Sequence, residues 1–223
     1  MSIPVQLSTD KYPSNTALYA DAALTPGRDY RLRHRRRDHR TAVIAPHGGG
    51  IEAGTSELCL AIAAGEACSY WMFEGLRPDD NTDLHVTSAH CDDPTALALC
   101  RRATRVLTLH GCRAEQAGMA DDGRAVLVGG LDGRLRRRLL EALADARFTA
   151  LDASRHDTLG GVSPHNICNR NRSGAGGQLE ITTALRDAMF ATNTIAARGR
   201  SRTGVFWAFV DAVRAGLGRA AAG

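Results

Sequence analysis

The sequence predicts an α/β fold in which helices cover both faces of a largely parallel sheet. Short apolar runs, such as residues 41–45 and 125–129, have the length and unbroken hydrophobicity of buried parallel strands. Segments with apolar residues at helical spacing, such as 133–146, alternate with them. The chain has 223 residues, 43% apolar and 23% charged, enough to bury a large core in a single domain spanning 1–223. No internal repeat is visible.

Taken in order, residues 15–23 read as a short helix and Pro26-Gly27 as a turn. Residues 29–35 and 40–45 read as two strands joined at Arg37-Asp38-His39. The first carries the run Arg31-Leu32-Arg33-His34-Arg35-Arg36-Arg37. Such a run keeps an edge strand solvated; its other reading is a face that attracts polyanions. Residues 55–67 predict a helix capped by Thr55 or Ser56, and 69–74 a strand. A second short strand is expected at Leu84-His85-Val86-Thr87, followed by His90 in a loop. Asp93 and Pro94 then open a helix to residue 103. Residues 105–110 alternate, so Val106, Thr108 and His110 share one face, with His110 at the carboxyl end before Gly111. Strand, helix and strand follow at 125–129, 133–146 and 148–151.

Residues 154–177 form a long polar, glycine-rich loop, a kind that usually serves function. It feeds a strand at 178–181 in which Gln178 and Glu180 point the same way. Thr182 or Thr183 is expected to cap a helix reaching about residue 197. The last helix, 203–217, places Val205, Phe206, Phe209, Val210, Val213 and Leu217 on one core-facing stripe.

The formal charge is +4, and Lys11 is the only lysine, so the basicity is an arginine bias that does not by itself define a partner. Six cysteines without a C-x-x-C pair read as free thiols in a reducing, cytoplasmic site of synthesis. Residues 1–10 lack a basic region followed by an apolar core, so no signal peptide is expected. No apolar run is long enough to span a bilayer.

The chemistry centres on Ala45-Pro46-His47-Gly48-Gly49-Gly50-Ile51-Glu52. Pro46 is expected to end the strand. The glycines then permit a tight loop in which the imidazole and the carboxylate converge. That pair is half of a catalytic zinc site, which takes three protein ligands and keeps an open position. His110 is the best third ligand, because ligands gather beyond the carboxyl ends of parallel strands. His34, His39 and His156 have no such context. His85, His90 and His165 stay open as contacts to ligands or substrate. Glu180 suits a general base. Asn169 and Arg170, with Arg172 and His90, are candidates for holding a substrate carboxylate. The alternative for that loop is stabilisation by its own hydrogen bonds.

Seven segments occur together in order: Ala-Pro-His-Gly-Gly-Gly-Ile-Glu-Ala-Gly-Thr-Ser-Glu (45–57), Tyr-Trp-Met-Phe-Glu-Gly (70–75), Leu-His-Val-Thr-Ser-Ala-His (84–90), Leu-His-Gly (109–111), Val-Gly-Gly-Leu-Asp (128–132), Asn-Ile-Cys-Asn-Arg (166–170) and Gly-Gln-Leu-Glu (177–180). With them the chain resembles the phage-type poly-γ-glutamate hydrolase family over about residues 12–186. The resemblance implies an open, mostly parallel mixed sheet related to zinc carboxypeptidases. It implies one Zn²⁺ held by His47, Glu52 and His110, with Glu180 as acid/base, cleaving γ-glutamyl amide bonds of an anionic polymer. It also implies a phage or prophage origin, with release by host lysis. The arginine-rich run at 31–37 is not part of the resemblance.

Two other functions stay open at this level. One is a carboxypeptidase-like or N-acyl-amino-acid amidohydrolase acting on a small acidic amide. The other is a non-catalytic polyanion binder using the basic run. Against nucleic acid stand an aromatic content of 5% and a basic run without aromatics.

Overall fold

The computed structural model describes residues 10–37, 40–65 and 68–218. The junction through Asp38 and His39, the end of the second helix at residues 66–67, and the N-terminal residues 1–9 lie outside the described residues. The strands are β1 (Tyr30–Arg35), β2 (Thr41–Gly49), β3 (Ser69–Gly75), β4 (Arg105–Cys112), β5 (Ala125–Gly129), β6 (Thr149–Asp152) and β7 (Gly177–Thr182). They form one seven-stranded sheet in the order β1-β3-β2-β4-β7-β5-β6. β2 runs parallel to β3 and β4, β4 to β7, and β5 to β6, while β1 and β5 pair antiparallel with β3 and β7. The sheet is therefore open and mostly parallel.

Alternating side chains divide the core between the two faces. On one face Val43, Leu107, Leu109 and Leu179 pack against α2 (Thr55–Gly65), α4 (Gly133–Asp145) and α6 (Gly204–Leu217). On the other, Ala42, Ile44, Trp71, Phe73 and Val106 meet α1 (Asn15–Tyr19) and α3 (Pro94–Arg102). The expected stripe on α6 is buried at Phe206, Phe209, Val210, Val213 and Leu217. Asp93 caps α3 by accepting the Ala96 N–H, with Pro94 at its first position. All six cysteines are buried.

Several expectations change. Pro46 does not end β2, which continues to Gly49. The register against β3 shifts between Ala45 and Gly48, and pairing with β4 stops at Ile44, so the missing proline N–H falls where the ladder is already broken. Leu84 to Thr87 is not a strand: a 3-10 turn at Asn81–Leu84 leads into extended chain outside the sheet, anchored by buried Leu84 and Val86. His90 ends a second such turn, Ser88–His90. α1 stops at Tyr19 because the Asp21 carboxylate takes the Ala23 N–H and the Tyr12 hydroxyl, making a turn instead. α5 (Thr183–Ala188) ends well short of residue 197. The Thr192-Asn193-Thr194 stretch is poor in helix formers, and the chain folds back so that Thr203 N–H reaches Met189 O. β4 runs two residues past His110, placing that ring inside the strand rather than at its tip.

β1 is the edge strand that its charge pattern predicts, with Tyr30 buried and Arg31 paired to Glu74 at 2.8 Å.

Gly49 has φ +67, and a Cβ there would run into the Gly75 carbonyl oxygen. Gly27 has φ +86 but open space around it. Gly49→Ala should therefore lower stability by more than the roughly 1–2 kcal/mol expected from left-handed backbone alone, and Gly27→Ala by no more than that. Thermal unfolding of the two variants gives the comparison.

Candidate metal centre

The β2 exit is a closed loop held from several sides. Glu52 N–H donates to His47 O at 2.8 Å, Gly50 N–H to Gly75 O at 2.9 Å, and Gly49 N–H to Ser56 Oγ at 3.0 Å. Arg198, 2% exposed, donates to Gly49 O at 2.6 Å and pairs with Glu57 at 3.2 Å. The bulge after Ala45 and this closure turn His47 and Glu52 toward each other.

His47 Nδ1 lies 2.9 Å from Glu52 Oε1 and 3.1 Å from His110 Nδ1. His110 Nδ1 is 3.7 Å from Glu52 Oε2, and that oxygen accepts the Gly111 N–H at 2.8 Å. The opposite nitrogen of His47 contacts Val86 O at 2.8 Å. A carbonyl only accepts, so Nε2 carries a proton and Nδ1 is the atom turned toward the cluster. His110 Nε2 is 3.2 Å from Ser88 Oγ, which fixes the second ring. Nδ1 of His47 thus faces a carboxylate oxygen and another imidazole nitrogen, an arrangement that requires a shared proton or a cation among them. Donors on one tetrahedral zinc, with bonds of about 2.0–2.1 Å, sit about 3.3 Å apart. The observed separations bracket that value, and the donor set of two imidazoles and a carboxylate is one that zinc takes.

A third histidine stands at the mouth. His85 donates from Nδ1 to Asp10 Oδ1 at 2.6 Å, and Asp10 Oδ2 accepts the Thr87 N–H at 2.6 Å. Its ring packs over that of His47, with centroids 3.9 Å apart, and its Nε2 is 3.9 Å from Glu52 Oε1. His47, Glu52 and His85 therefore make a second compact trio. His110 reaches closer to the shared pair, and its side chain is 4% exposed against 35% for His85, so His110 closes the cluster from within while His85 borders solvent.

Glu180 faces the same cluster. It is the register partner of His110 across β4 and β7 and is buried. Gln178 Nε2 donates to Glu180 Oε1 at 2.9 Å, and Asn166 Nδ2 steadies Gln178 at 2.9 Å. Burial, then the charge of Glu52, pushes the Glu180 carboxyl well above its ordinary range, with Arg186 pulling back. Burial would push Glu52 up too, but the facing His47 and His110 hold it well below that range. Two neighbouring carboxylates with affinities for protons driven apart are the pattern of an acid/base site. Arg186 is locked beneath, donating to Ile181 O, Ala53 O and Thr183 Oγ1.

The remaining candidates separate. Asn169 is 3% exposed, and its amide accepts from Leu131 N–H and Gly176 N–H while donating to Gly161 O and Ser163 O. With its hydrogen-bonding capacity spent on the loop, it holds that loop together, the alternative weighed for it. Arg170 is partly exposed next to it. Arg172 lies away from the metal centre. Its N–H donates to Ala103 O just before β4, and it lines a cavity with Arg40 and Thr104. That is the amino end of the parallel strands; the five-residue climb from Arg105 to His110 alone is about 17 Å. Arg172 therefore does not contact a group at the metal centre. His90 and His165 are exposed, and His156 is engaged with Gln116 O at 2.8 Å. Asp10, Ser88, Gln178 and Arg186 were not singled out from the sequence for this site; only the Leu84–Ser88 segment, with its histidine, offered a signal.

The chain is similar to several known proteins. A model of the poly-gamma-glutamate hydrolase family matches residues 12–212. The SPbeta prophage-derived UPF0714 protein YoqZ of Bacillus subtilis (strain 168) is 38% identical over 173 residues, covering 78% of this chain and 60% of its own. The UPF0714 protein YndL of the same organism is 34% identical over 169 residues, covering 76% and 64%. The chain thus spans about 60% of the length of these curated relatives. A bacteriophage poly-gamma-glutamate hydrolase superposes with a TM-score of 0.86 at 34% identity, covering 94% of this chain and 97% of its own. A zinc-free YndL structure superposes with a TM-score of 0.84 at 31% identity, covering 94% and 98%.

The raised proton affinity of Glu180 has a signed consequence in metal-free protein. A carboxyl whose folded pKa lies above its unfolded value contributes stability that is full below the unfolded value and is lost as pH rises through the folded one. The loss is up to about 1.4 kcal/mol per pH unit. Glu180→Gln keeps an oxygen for Gln178 Nε2 and removes the titration. Its melting temperature relative to wild type should rise as pH climbs from the ordinary glutamate range upward. A constant difference across that window contradicts the assignment.

Proposed function

The chain belongs to the poly-gamma-glutamate hydrolase family, and on that premise we propose that it hydrolyses the γ-glutamyl amide bonds of poly-γ-glutamate around a zinc ion held by His47, Glu52 and His110. The observation that carries this reading is the convergence of His47 Nδ1, the Glu52 carboxylate and His110 Nδ1, with Glu180 across from His110. The match to a zinc-free form of YndL supports zinc as the ion. Relatives from a bacteriophage and from the SPbeta prophage support a phage or prophage lineage.

When bound, zinc supplies a Lewis acid that polarises the scissile carbonyl and brings the pKa of a water to about 7. The protein groups do the rest. Val86 O and Ser88 Oγ fix the imidazole rings from behind, as outer partners of metal ligands do. Gly111 N–H steadies the second oxygen of Glu52. Glu180, across from His110, is placed to take the proton of the attacking water and return it to the departing amide nitrogen. His85, oriented by Asp10 at the open side, is placed to meet substrate rather than to close the ligand set. Among the described residues no helix is long and apolar enough to cross a membrane.

Elemental analysis of purified protein should find one zinc per chain, lost in His47→Ala and His110→Ala and kept in His85→Ala. Loss in His85→Ala with retention in His110→Ala would transfer the third-ligand role to His85. Glu180→Gln should keep the metal while polymer cleavage falls by about 10²–10⁴. Full cleavage by metal-stripped wild type would end the reading. The rate should also fall as salt rises, since the chain is net positive and the substrate anionic.

A further inference from the structure

A second cationic feature lies at the other end of the sheet. Arg36 and Arg37 just after β1, Arg40 before β2, Arg102 closing α3 and Arg172 in the loop before β7 line a cavity of about 440 Å³ together with Ser69. These residues are far apart in sequence, yet the backbone that presents them is tied down. Ser69 Oγ accepts the Arg37 N–H at 3.0 Å and donates to Arg37 O at 3.2 Å. Arg40 O accepts from Thr104 and Arg105 N–H, and Arg172 N–H donates to Ala103 O.

Among the described residues none of these five guanidinium groups pairs with a carboxylate, as is true of many arginines of the chain; what sets these apart is that all five gather around one concavity. Arg102 suits the carboxyl end of a helix, but that does not account for the four further cations. Like charges held together with no carboxylate pairing them among the described residues oppose folding, and an anion relieves that opposition.

We propose that this cavity is a second binding site for the polycarboxylate substrate, engaging a stretch of chain away from the bond being cut. The inference rests on the reading of the enzyme as a poly-γ-glutamate hydrolase. Each repeat of that polymer carries a free α-carboxylate, and the guanidinium fork matches a carboxylate with two parallel hydrogen bonds. Among the described residues the lining contains no aromatic side chain to stack a nucleobase. The cavity and the metal centre are separated by β2, whose climb from Thr41 to His47 is about 20 Å. A long chain can therefore occupy both sites at once, and holding it at one raises its effective concentration at the other.

The test measures binding of long poly-γ-glutamate to the full chain carrying Glu180→Gln and stripped of metal, so that the polymer stays intact. Adding Arg36→Ser, Arg40→Ser and Arg102→Ser should weaken binding about tenfold and flatten its dependence on salt. The corresponding Arg→Lys triple variant should recover part of that affinity, and an unchanged melting temperature separates a lost contact from a lost fold. Unchanged polymer binding in the serine variant overturns the proposal. So does duplex DNA or inorganic polyphosphate binding more tightly than poly-γ-glutamate and being lost in parallel, which marks a phosphate site instead. Cleavage of polymer by zinc-loaded wild type reports separately on the hydrolase reading. Its absence sinks that reading, while normal cleavage with normal binding in the serine variant sinks only the second site.

Discussion

The structure depends on a buried carboxylate and two imidazole nitrogens packed so closely that they must share a proton or a cation. The Val86 carbonyl takes the Nε2 proton of His47, and Nδ1 faces Glu52 and His110 at 2.9 and 3.1 Å. Burial prevents water from relieving the crowding, since His47 and His110 are each 3% exposed. The surrounding elements serve to keep these groups where they would otherwise repel. The bulge in β2 aims the first ring, the glycine loop brings Glu52 back, and Arg198 and Ser56 brace the loop. The energetic opposition is what makes the place selective for a cation.

The opposed proton affinities of Glu52 and Glu180 follow from the same arrangement. Glu52 has two imidazoles beside it; Glu180 has Glu52 and a dry wall, offset only in part by Arg186 and an amide from Gln178. Glu52 is placed by the glycine loop that follows β2, and Glu180 lies opposite His110 on the neighbouring strand. Moving Glu180 by one residue would turn it to the far face.

Much of this was legible from residue order because strands announce themselves by apolar runs and sheets gather ligands at strand ends. Residues 41–45, 105–110, 125–129 and 178–181 all fall within strands, and the rule that puts His47 beside His110 needs only that β2 and β4 be neighbours and parallel. The role of His85 stayed open at the level of the sequence because its segment joins no sheet. Its position is set by Leu84 and Val86 in the core and by the distant Asp10, and none of these leaves a periodic trace. The distance of Arg172 from the metal centre was not legible because its loop is routed by side-chain amides: Asn171 binds Thr104 O and Ala175 O, and Asn169 binds the backbone around it, drawing the chain toward the amino ends of the strands. The basic run at 31–37 read as a solvated edge, and β1 is one; its last arginines instead turn toward a cavity that only the fold assembles.

The most direct test of the centre is a crystal of zinc-loaded protein with anomalous data collected on both sides of the zinc edge. A single peak within about 2.0–2.2 Å of His47 Nδ1, a Glu52 oxygen and His110 Nδ1 is the predicted result. A peak elsewhere, or none in protein that cleaves the polymer, would contradict it.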